Sequence, residues 1–161
     1  MVVIVMGVSG AGKTTIGRML AQSLGWEFRD GDDLHPAAKR DKMARGIALT
    51  DTDRLPWLAA IRALIDDYLA RAQSVVVACS ALKRAYRNIL IGDLARVHLV
   101  WLDGSRDLIE RRIARRRGHF MPAGLLASQF ADLEPPASAI RVEIAAPPAE
   151  IVGAIRRELA I

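Results

Sequence analysis

Short apolar runs alternate along this chain with longer segments in which apolar residues recur every three or four positions. Continuous apolar runs are typical of buried strands, and the longer period is typical of helices with one buried face. The predicted strands cover residues 2–6, 26–29, 74–79, 97–102 and 140–144. The predicted helices cover about residues 13–24, 56–72, 83–91, 107–117 and 149–159. This alternation predicts a parallel sheet with helices on both faces.

Length and composition narrow the class of protein. With 161 residues, the chain is long enough for one domain with a substantial core and too short for a second. It contains no apolar run of the length that a membrane span needs, and its apolar start lacks the basic segment of a signal peptide. Cys79 is the only cysteine, which excludes an internal disulfide and suits a reducing compartment such as the cytoplasm.

The strongest chemical signal follows the first predicted strand. Residues 7–14 read G-V-S-G-A-G-K-T and match the P-loop pattern G-x-x-x-x-G-K-[S/T] at every fixed position. Glycines let backbone N–H groups approach phosphate oxygens, the following helix N-terminus adds partial positive charge, and Thr14 ligates Mg²⁺. A glycine-rich turn before an ordinary helix is the alternative. The predicted nucleotide-binding residues are Gly7, Val8, Ser9, Gly10, Ala11, Gly12, Lys13, Thr14 and Thr15.

The net charge of +5 raises the question of a nucleic-acid partner. Five arginines close together in the sequence are as many as the net positive charge of the chain. They are Arg111, Arg112, Arg115, Arg116 and Arg117. Aromatic residues are few and no recognition motif is present, so arginines that face phosphates explain the charge better than a nucleic-acid surface. A helix C-terminus attracts some cations through its dipole, but this accounts for only part of the cluster. We therefore expect neither a nucleic-acid nor a membrane partner.

Polar segments follow three of the predicted strands, at the sheet edge where ligands bind in such folds. These segments are residues 30–36, residues 80–87 and residues 118–122, the last beyond the arginine-rich helix. Phosphoryl transfer to a hydroxyl needs a carboxylate at the hydroxyl proton and cations at the transferring group. The candidate carboxylates are Asp30, Asp32 and Asp33, although an acidic turn before a helix is the alternative.

Beyond the P-loop, the chain resembles the gluconate kinase (gluconokinase) family, which is related to shikimate and adenylate kinases. Residues 31–36 look like its G-D-x-L-H-P segment, and residues 42–58 look like K-M-x-x-G-x-x-L-x-D-x-D-R-x-P-W-L. Residues 79–87 look like C-S-A-L-K-x-x-Y-R, while residues 118–122, 128–130 and 133–135 look like its lid signature. This resemblance implies a nucleoside-monophosphate-kinase-like P-loop NTPase fold with three α/β/α layers, a five-stranded parallel sheet and a lid.

The same resemblance implies a function. It is the transfer of the γ-phosphate of ATP to the 6-hydroxyl of D-gluconate, with Mg²⁺, by a cytoplasmic homodimer that feeds the pentose phosphate pathway. One domain over residues 1–161 is expected, with a substrate-binding insertion at about 33–58 and a lid at about 112–132. A kinase for another small hydroxy acid, such as shikimate, is the alternative. A GTPase is excluded because no N-K-x-D motif occurs, and a non-catalytic regulator would lack Lys13 or the lid arginines.

Residue roles follow from the resemblance and from the chemistry of an open-chain sugar acid. Asp32 is expected to act as base or to orient the hydroxyl, with Asp30 behind it to hold Mg²⁺ through water and Thr14 as a second metal ligand. The predicted catalytic residues are Lys13, Asp32, Arg112 and Arg116. The predicted substrate-binding residues are Asp32, His35, Arg54, Lys83, Arg87 and His119. For some of these residues, purely structural alternatives stay open. They are a cap by Arg54 or its pairing with Asp51 or Asp53, a helix cap at His35, and a solvated stripe at Lys83 and Arg87.

Three positions depart from the family pattern. Lys39 stands where the family usually has Asn, Ala48 where it usually has Pro, and Asn88 where Asp commonly follows Y-R. An ammonium donates but cannot accept, so Lys39 is expected to alter how the polyol is held. Ala48 affects loop stiffness, and Asn88 removes a possible partner of Arg87. None of the three touches the P-loop or Asp32, so they bear on substrate preference more than on catalysis.

Overall fold

Five parallel strands form one sheet in the order β2-β3-β1-β4-β5 in the computed structural model, which describes residues 1–92, 95–115 and 123–161. The strands are β1 (Val2–Met6), β2 (Glu27–Asp30), β3 (Val75–Ala78), β4 (Val97–Asp103) and β5 (Ile140–Glu143). The helices are α1 (Lys13–Leu24), α2 (Ala37–Ala44), α3 (Asp51–Ala70), α4 (Arg84–Ile91), α5 (Arg106–Arg115), α6 (Ala123–Asp132) and α7 (Pro148–Leu159). A 3-10 turn covers Gly31–Leu34. The predicted fold class is confirmed.

The sheet separates two hydrophobic layers, because alternate side chains of β1 point to opposite faces. Val3 and Val5 pack in the layer that includes buried residues of α1 and α7. Val2, Ile4 and Met6 pack in the layer that includes buried residues of α3 and α4. All five side chains are fully buried, so β1 is the centre of the three-layer arrangement.

The start of α3 is a correction to the sequence prediction, which placed it near Pro56. The helix begins at Asp51 because Thr50 and Asp53 cap it reciprocally, each side chain accepting a hydrogen bond from the other's backbone N–H at 3.1 Å. Pro56 therefore lies inside the helix, where it leaves the Thr52 carbonyl without its usual partner. The sequence pattern also missed α2, none of whose residues is buried, and α6.

The order of the strands opens a crevice at one edge of the sheet. The chain leaves β1 toward β2 and leaves β3 toward β4, in opposite directions along the sheet. Such a reversal between neighbouring strands creates a ligand crevice at their carboxyl ends. Within the described part of the chain, no helix is both long and apolar enough to cross a membrane.

Candidate active site

The P-loop begins where β1 ends and turns directly into α1. At Gly7, with a φ of 150°, a Cβ atom would lie 2.9 Å from the carbonyl oxygen of Leu102, so only glycine fits there. Gly12 has a φ of 101° and immediately precedes Lys13, the first residue of α1. The turn thus brings backbone N–H groups and a helix N-terminus together, which suits bound phosphate.

The two predicted metal-binding residues, Thr14 of the P-loop and Asp30 at the end of β2, are in contact. The Thr14 hydroxyl donates a hydrogen bond of 2.9 Å to Oδ2 of Asp30, whose Oδ1 accepts the backbone N–H of Asp32 at 3.1 Å. Hydroxyl and carboxylate oxygens are ligands that Mg²⁺ prefers. No group of three or more His, Cys, Asp or Glu side chains among the described residues could hold a metal alone. The pair therefore fits an ion whose other ligands are water and phosphate.

Asp32 occupies the 3-10 turn after β2 and lines a cavity of about 180 Å³ together with Lys13. Partial loss of hydration in the cavity is the main cause that raises the pKa of the Asp32 carboxyl, although 69% of the side chain is exposed; the positive charge of Lys13 opposes this rise, while Asp30 and Asp33 add to it. The Lys13 ammonium also donates to the Val8 carbonyl at 3.1 Å. A raised pKa makes a carboxylate a stronger proton acceptor, which is compatible with the predicted role of Asp32.

His35 lies against the same cavity as a buried ring stacked on Trp57. The ring centroids are 4.2 Å apart, the planes differ by 11°, and His35 is 6% exposed. Burial, together with the positive charges of Arg54 and Arg40, lowers the pKa of His35 to about 4. Its Nδ1 has no hydrogen-bond partner among the described residues, and Nε2 is 4.0 Å from Asp32. The ring is therefore neutral at physiological pH and suits hydrogen bonding to a hydroxyl, not a cationic contact.

Arg54 projects from α3 to the cavity wall and belongs to a network of side chains from three helices. Its Nη1 donates to the Tyr86 hydroxyl at 3.1 Å and to Asp132 at 3.3 Å. Lys83, just before α4, donates to Asp51 at 2.9 Å and lies 3.5 Å from Asp132. Arg54 thus pairs with Asp132, and not with Asp51 or Asp53 as the purely structural alternative predicted. Lys83 is not among the described residues that line the cavity.

Arg87 is buried and is not among the described residues that line this cavity. Its side chain is 5% exposed, and Nη1 donates to the carbonyls of Ala81 at 3.0 Å and Leu82 at 2.7 Å. Burial lowers the pKa of the guanidinium, and the charge of Glu134 opposes this shift. The first turn of α4 aims Arg87 beneath the loop that follows β3, so it holds that loop while Leu82 lines the cavity.

The arginine-rich helix α5 contacts the P-loop away from the cavity that Asp32 lines. Arg112 donates from Nη1 to the Ala11 carbonyl at 3.5 Å, and from Nη2 to Ile144. Arg112 and Arg115 line a second cavity of about 280 Å³ that also includes Gly12. Of the other predicted lid residues, Arg116 and His119 lie outside the described residues.

The departure at Lys39 has a structural explanation. Its ammonium pairs with Asp53, which also accepts from Lys42 at 3.2 Å. The hydrogen bond from Lys39 is the main reason that the pKa of Asp53 is lowered, with Thr50 and Lys42 adding to it. Lys39 therefore joins α2 to α3 and is not among the described residues that line the acid-bearing cavity.

The sequence prediction missed several residues of the cavity that holds Asp32. Met43, Leu49, Ser80, Leu82, Leu125 and Gln129 line it as well. Gln129 occurs in the S-Q-F part of the family signature, but a neutral amide carries no charge pattern that would have indicated a role. The lining as a whole places the P-loop lysine, a carboxylate, a neutral imidazole and an arginine around one small cavity. We call this the acceptor cavity.

The fold and the site define a P-loop kinase. Residues 2–136 match the profile of a family described as "AAA domain". A probable gluconokinase of Mus musculus is 47% identical over 154 residues, which cover 85% of this chain and 84% of that protein. The thermosensitive gluconokinase of Escherichia coli (strain K12) is 50% identical over 133 residues, covering 83% and 71%. The chain belongs to the gluconokinase family.

Solved structures agree with this assignment. The crystal structure of a gluconokinase from Sinorhizobium meliloti 1021 superposes with a TM-score of 0.88 at 44% identity, covering 98% of this chain and 90% of that one. A shikimate kinase from Aquifex aeolicus vf5 superposes with a TM-score of 0.63 at 20% identity, covering 99% and 96%. At 20% identity, the second likeness concerns the fold alone. Family membership therefore favours a gluconate kinase over a shikimate kinase.

Proposed function

We propose that this chain transfers the γ-phosphate of ATP to the 6-hydroxyl of D-gluconate, giving 6-phospho-D-gluconate and ADP. The observation that carries the proposal is the acceptor cavity, which combines Lys13, Asp32 and Arg54 in one lining. A kinase for a hydroxy acid needs this combination, because it must hold phosphate, a hydroxyl proton and a carboxylate at once.

Residues 7–15 would hold the phosphates of ATP through the Lys13 ammonium and through backbone N–H groups other than that of Ser9, which donates to Gln129. Thr14 would ligate Mg²⁺ directly and Asp30 would do so through water, since their side chains already share a hydrogen bond. Mg²⁺ bound there would neutralise charge on the β- and γ-phosphates. The second cavity adjoins the P-loop at Gly12 and has the apolar side chains of Ile16 and Ile151 in its lining, which suits the nucleoside.

In the transfer step, the 6-hydroxyl oxygen forms a bond to the γ-phosphorus while the bond from that phosphorus to the ADP oxygen breaks. The hydroxyl proton passes to the Asp32 carboxylate. Arg112 lies next to the P-loop and would offset charge on the moving group, together with Arg116. His119 is proposed to contact the substrate when the lid closes.

The carboxylate of gluconate is assigned to Arg54, whose planar guanidinium suits a two-pronged grip. Asp132, Tyr86 and Lys83 would hold that guanidinium in place through the network around it. His35 would donate to or accept from a hydroxyl of the polyol, because its ring is neutral. Arg87 would act only through the loop that it supports.

A coupled assay of ADP release with MgATP tests the proposal. D-gluconate, glucose, an uncharged open-chain polyol and shikimate are compared, and magnetic resonance of the product locates the new phosphate. Gluconate should exceed the uncharged compounds by about ten- to a hundredfold in kcat/KM, since an unpaired arginine and a lost charged hydrogen bond cost about 1.5–3 kcal/mol. Equal turnover of glucose or shikimate would overturn the substrate assignment.

We also propose that the protein is a cytoplasmic homodimer with no nucleic-acid or membrane partner. These statements rest on the family resemblance and on the concentration of positive charge in the arginine cluster of α5 and the segment after it. Light scattering after size-exclusion chromatography tests the dimer. Binding to DNA or RNA with a steep dependence on salt would contradict the absence of a nucleic-acid partner.

A further inference from the structure

Gln129 joins α6 to the P-loop across a long stretch of sequence. The backbone N–H of Ser9 donates a hydrogen bond of 2.6 Å to the Gln129 side chain. A backbone N–H can only donate, so the atom that faces it is the amide oxygen Oε1. This fixes the orientation of the amide group, and the Nε2 end carries the remaining donors.

The Gln129 amide lies at the place where the γ-phosphate of the nucleotide would approach the acceptor hydroxyl. Ser9 and Gln129 both line the acceptor cavity with Lys13 and Asp32, whereas Ala11 and Gly12 line the second cavity. Ser9 is thus the part of the P-loop that faces the acceptor. Because Gln129 accepts from it there, its amide lies over the end of the P-loop nearest the transfer step.

The two N–H bonds of Nε2 have no acceptor among the described residues, although the carboxylate of Asp32 lines the same cavity. Donors left without a protein partner at the edge of a polar cavity suit a ligand that carries several oxygens. An amide whose oxygen accepts a hydrogen bond is also a better donor at its nitrogen, since chained hydrogen bonds polarise one another.

We infer that Gln129 donates through Nε2 to an oxygen of the γ-phosphoryl group while that group passes to the acceptor hydroxyl. This inference rests on the proposed function. Gln129 forms and breaks no covalent bond: the new bond joins the hydroxyl oxygen to phosphorus, the bond to ADP breaks, and the proton goes to Asp32. The Ser9 N–H contributes indirectly, because its hydrogen bond to Oε1 polarises the amide and makes Nε2 a better donor.

Two variants test the donor. Gln129→Met removes both ends of the amide at similar length, and Gln129→Glu keeps an oxygen for the Ser9 N–H but removes the Nε2 donors. Ser128→Ala is the matched control on the same helix, because among the described residues the Ser128 hydroxyl donates only to the Leu125 carbonyl one turn earlier, at 2.8 Å. The measurements are kcat, KM for gluconate, and affinities for ADP and for a non-hydrolysable ATP analogue.

Both Gln129 variants should lower kcat by about a hundredfold, which is the usual effect of losing one donor to a charge that develops in the transition state. They should also weaken the analogue relative to ADP, while ADP affinity and KM for gluconate stay as in the parent. A merely structural role would weaken ADP and the analogue together. Ser128→Ala should behave as the parent protein.

Two outcomes would overturn the inference. In the first, kcat stays near that of the parent in both variants, so the amide only packs. In the second, KM for gluconate rises while analogue affinity holds, so Gln129 binds the acid instead. If Gln129→Met loses ADP binding altogether, the Glu variant decides. If the parent does not phosphorylate gluconate, the proposed function fails, but the comparison of ADP with the analogue still tests Gln129.

Discussion

The two sides of the site are built from different materials. On the nucleotide side, a fully buried strand, a glycine turn and the N-terminus of α1 position backbone N–H groups. On the acceptor side, ion pairs at helix ends position side chains, among them Lys39 with Asp53 and Arg54 with Asp132. Backbone geometry anchored in the core therefore shapes the nucleotide side, while partly buried charged side chains shape the acceptor side.

The largest expected effect is on phosphoryl transfer, and it comes from removing the Lys13 charge while the shape of the P-loop is kept. Lys13→Ala should abolish measurable phosphoryl transfer while the protein stays folded, because the lost ammonium acts on the β- and γ-phosphates and the glycines still shape the turn. Turnover by the ADP-release assay and a thermal melt measure the two parts. Turnover near the parent rate would contradict the role of Lys13.

The next effect concerns the carboxylate at the boundary between the two sides. Asp32→Asn keeps the size of the side chain but cannot accept the hydroxyl proton, so kcat should fall by about two to four orders of magnitude with little change in ATP binding. Steady-state kinetics and nucleotide titration measure this. A nearly unchanged kcat would make Asp32 structural and turn attention to Asp30 or Asp33.

A smaller effect is expected on the acceptor side. Arg54→Ala should lower kcat/KM for gluconate by about ten- to a hundredfold and leave the poor turnover of an uncharged polyol almost as it was. The gap between the two substrates therefore narrows. A variant that loses both activities equally would show that Arg54 supports the fold or the nucleotide rather than the carboxylate.

The smallest expected effect is a dependence of stability on pH. The folded protein holds the pKa of His35 at about 4, against 6.5 for an ordinary histidine, so between these values the unfolded chain binds more protons. The His35 contribution is fully present above pH 6.5 and is lost as the pH falls toward 4. His35→Phe keeps a ring on Trp57 but cannot titrate, so its free energy of unfolding in urea should fall less steeply over this range. Equal slopes for the two proteins would contradict the burial argument.

The sequence predicted the nucleotide side well because its signals are local. A continuous apolar run and glycines at fixed spacing are sufficient to predict β1 and the P-loop that follows it. The early start of α3 was also readable, since Thr50 and Asp53 stand three residues apart as a capping pair.

The acceptor side was less predictable because its contacts join distant residues. Residue type and helical spacing made Arg87 a candidate ligand, yet its burial depends on carbonyls of the preceding loop that only the folded chain brings near. The position of Gln129 depends on how α6 packs against the P-loop. The roles of Arg116 and His119 stay predictions, since they lie outside the described residues.

Helix α2 buries none of its residues, and ion pairs from Lys39 and Lys42 join it to Asp53. The two lysine side chains are 26% and 41% exposed, and ion pairs of partly exposed lysines are individually weak. Substitutions at these two lysines can therefore shift α2, and with it Met43 in the wall of the acceptor cavity, while the buried strand before the P-loop stays in place.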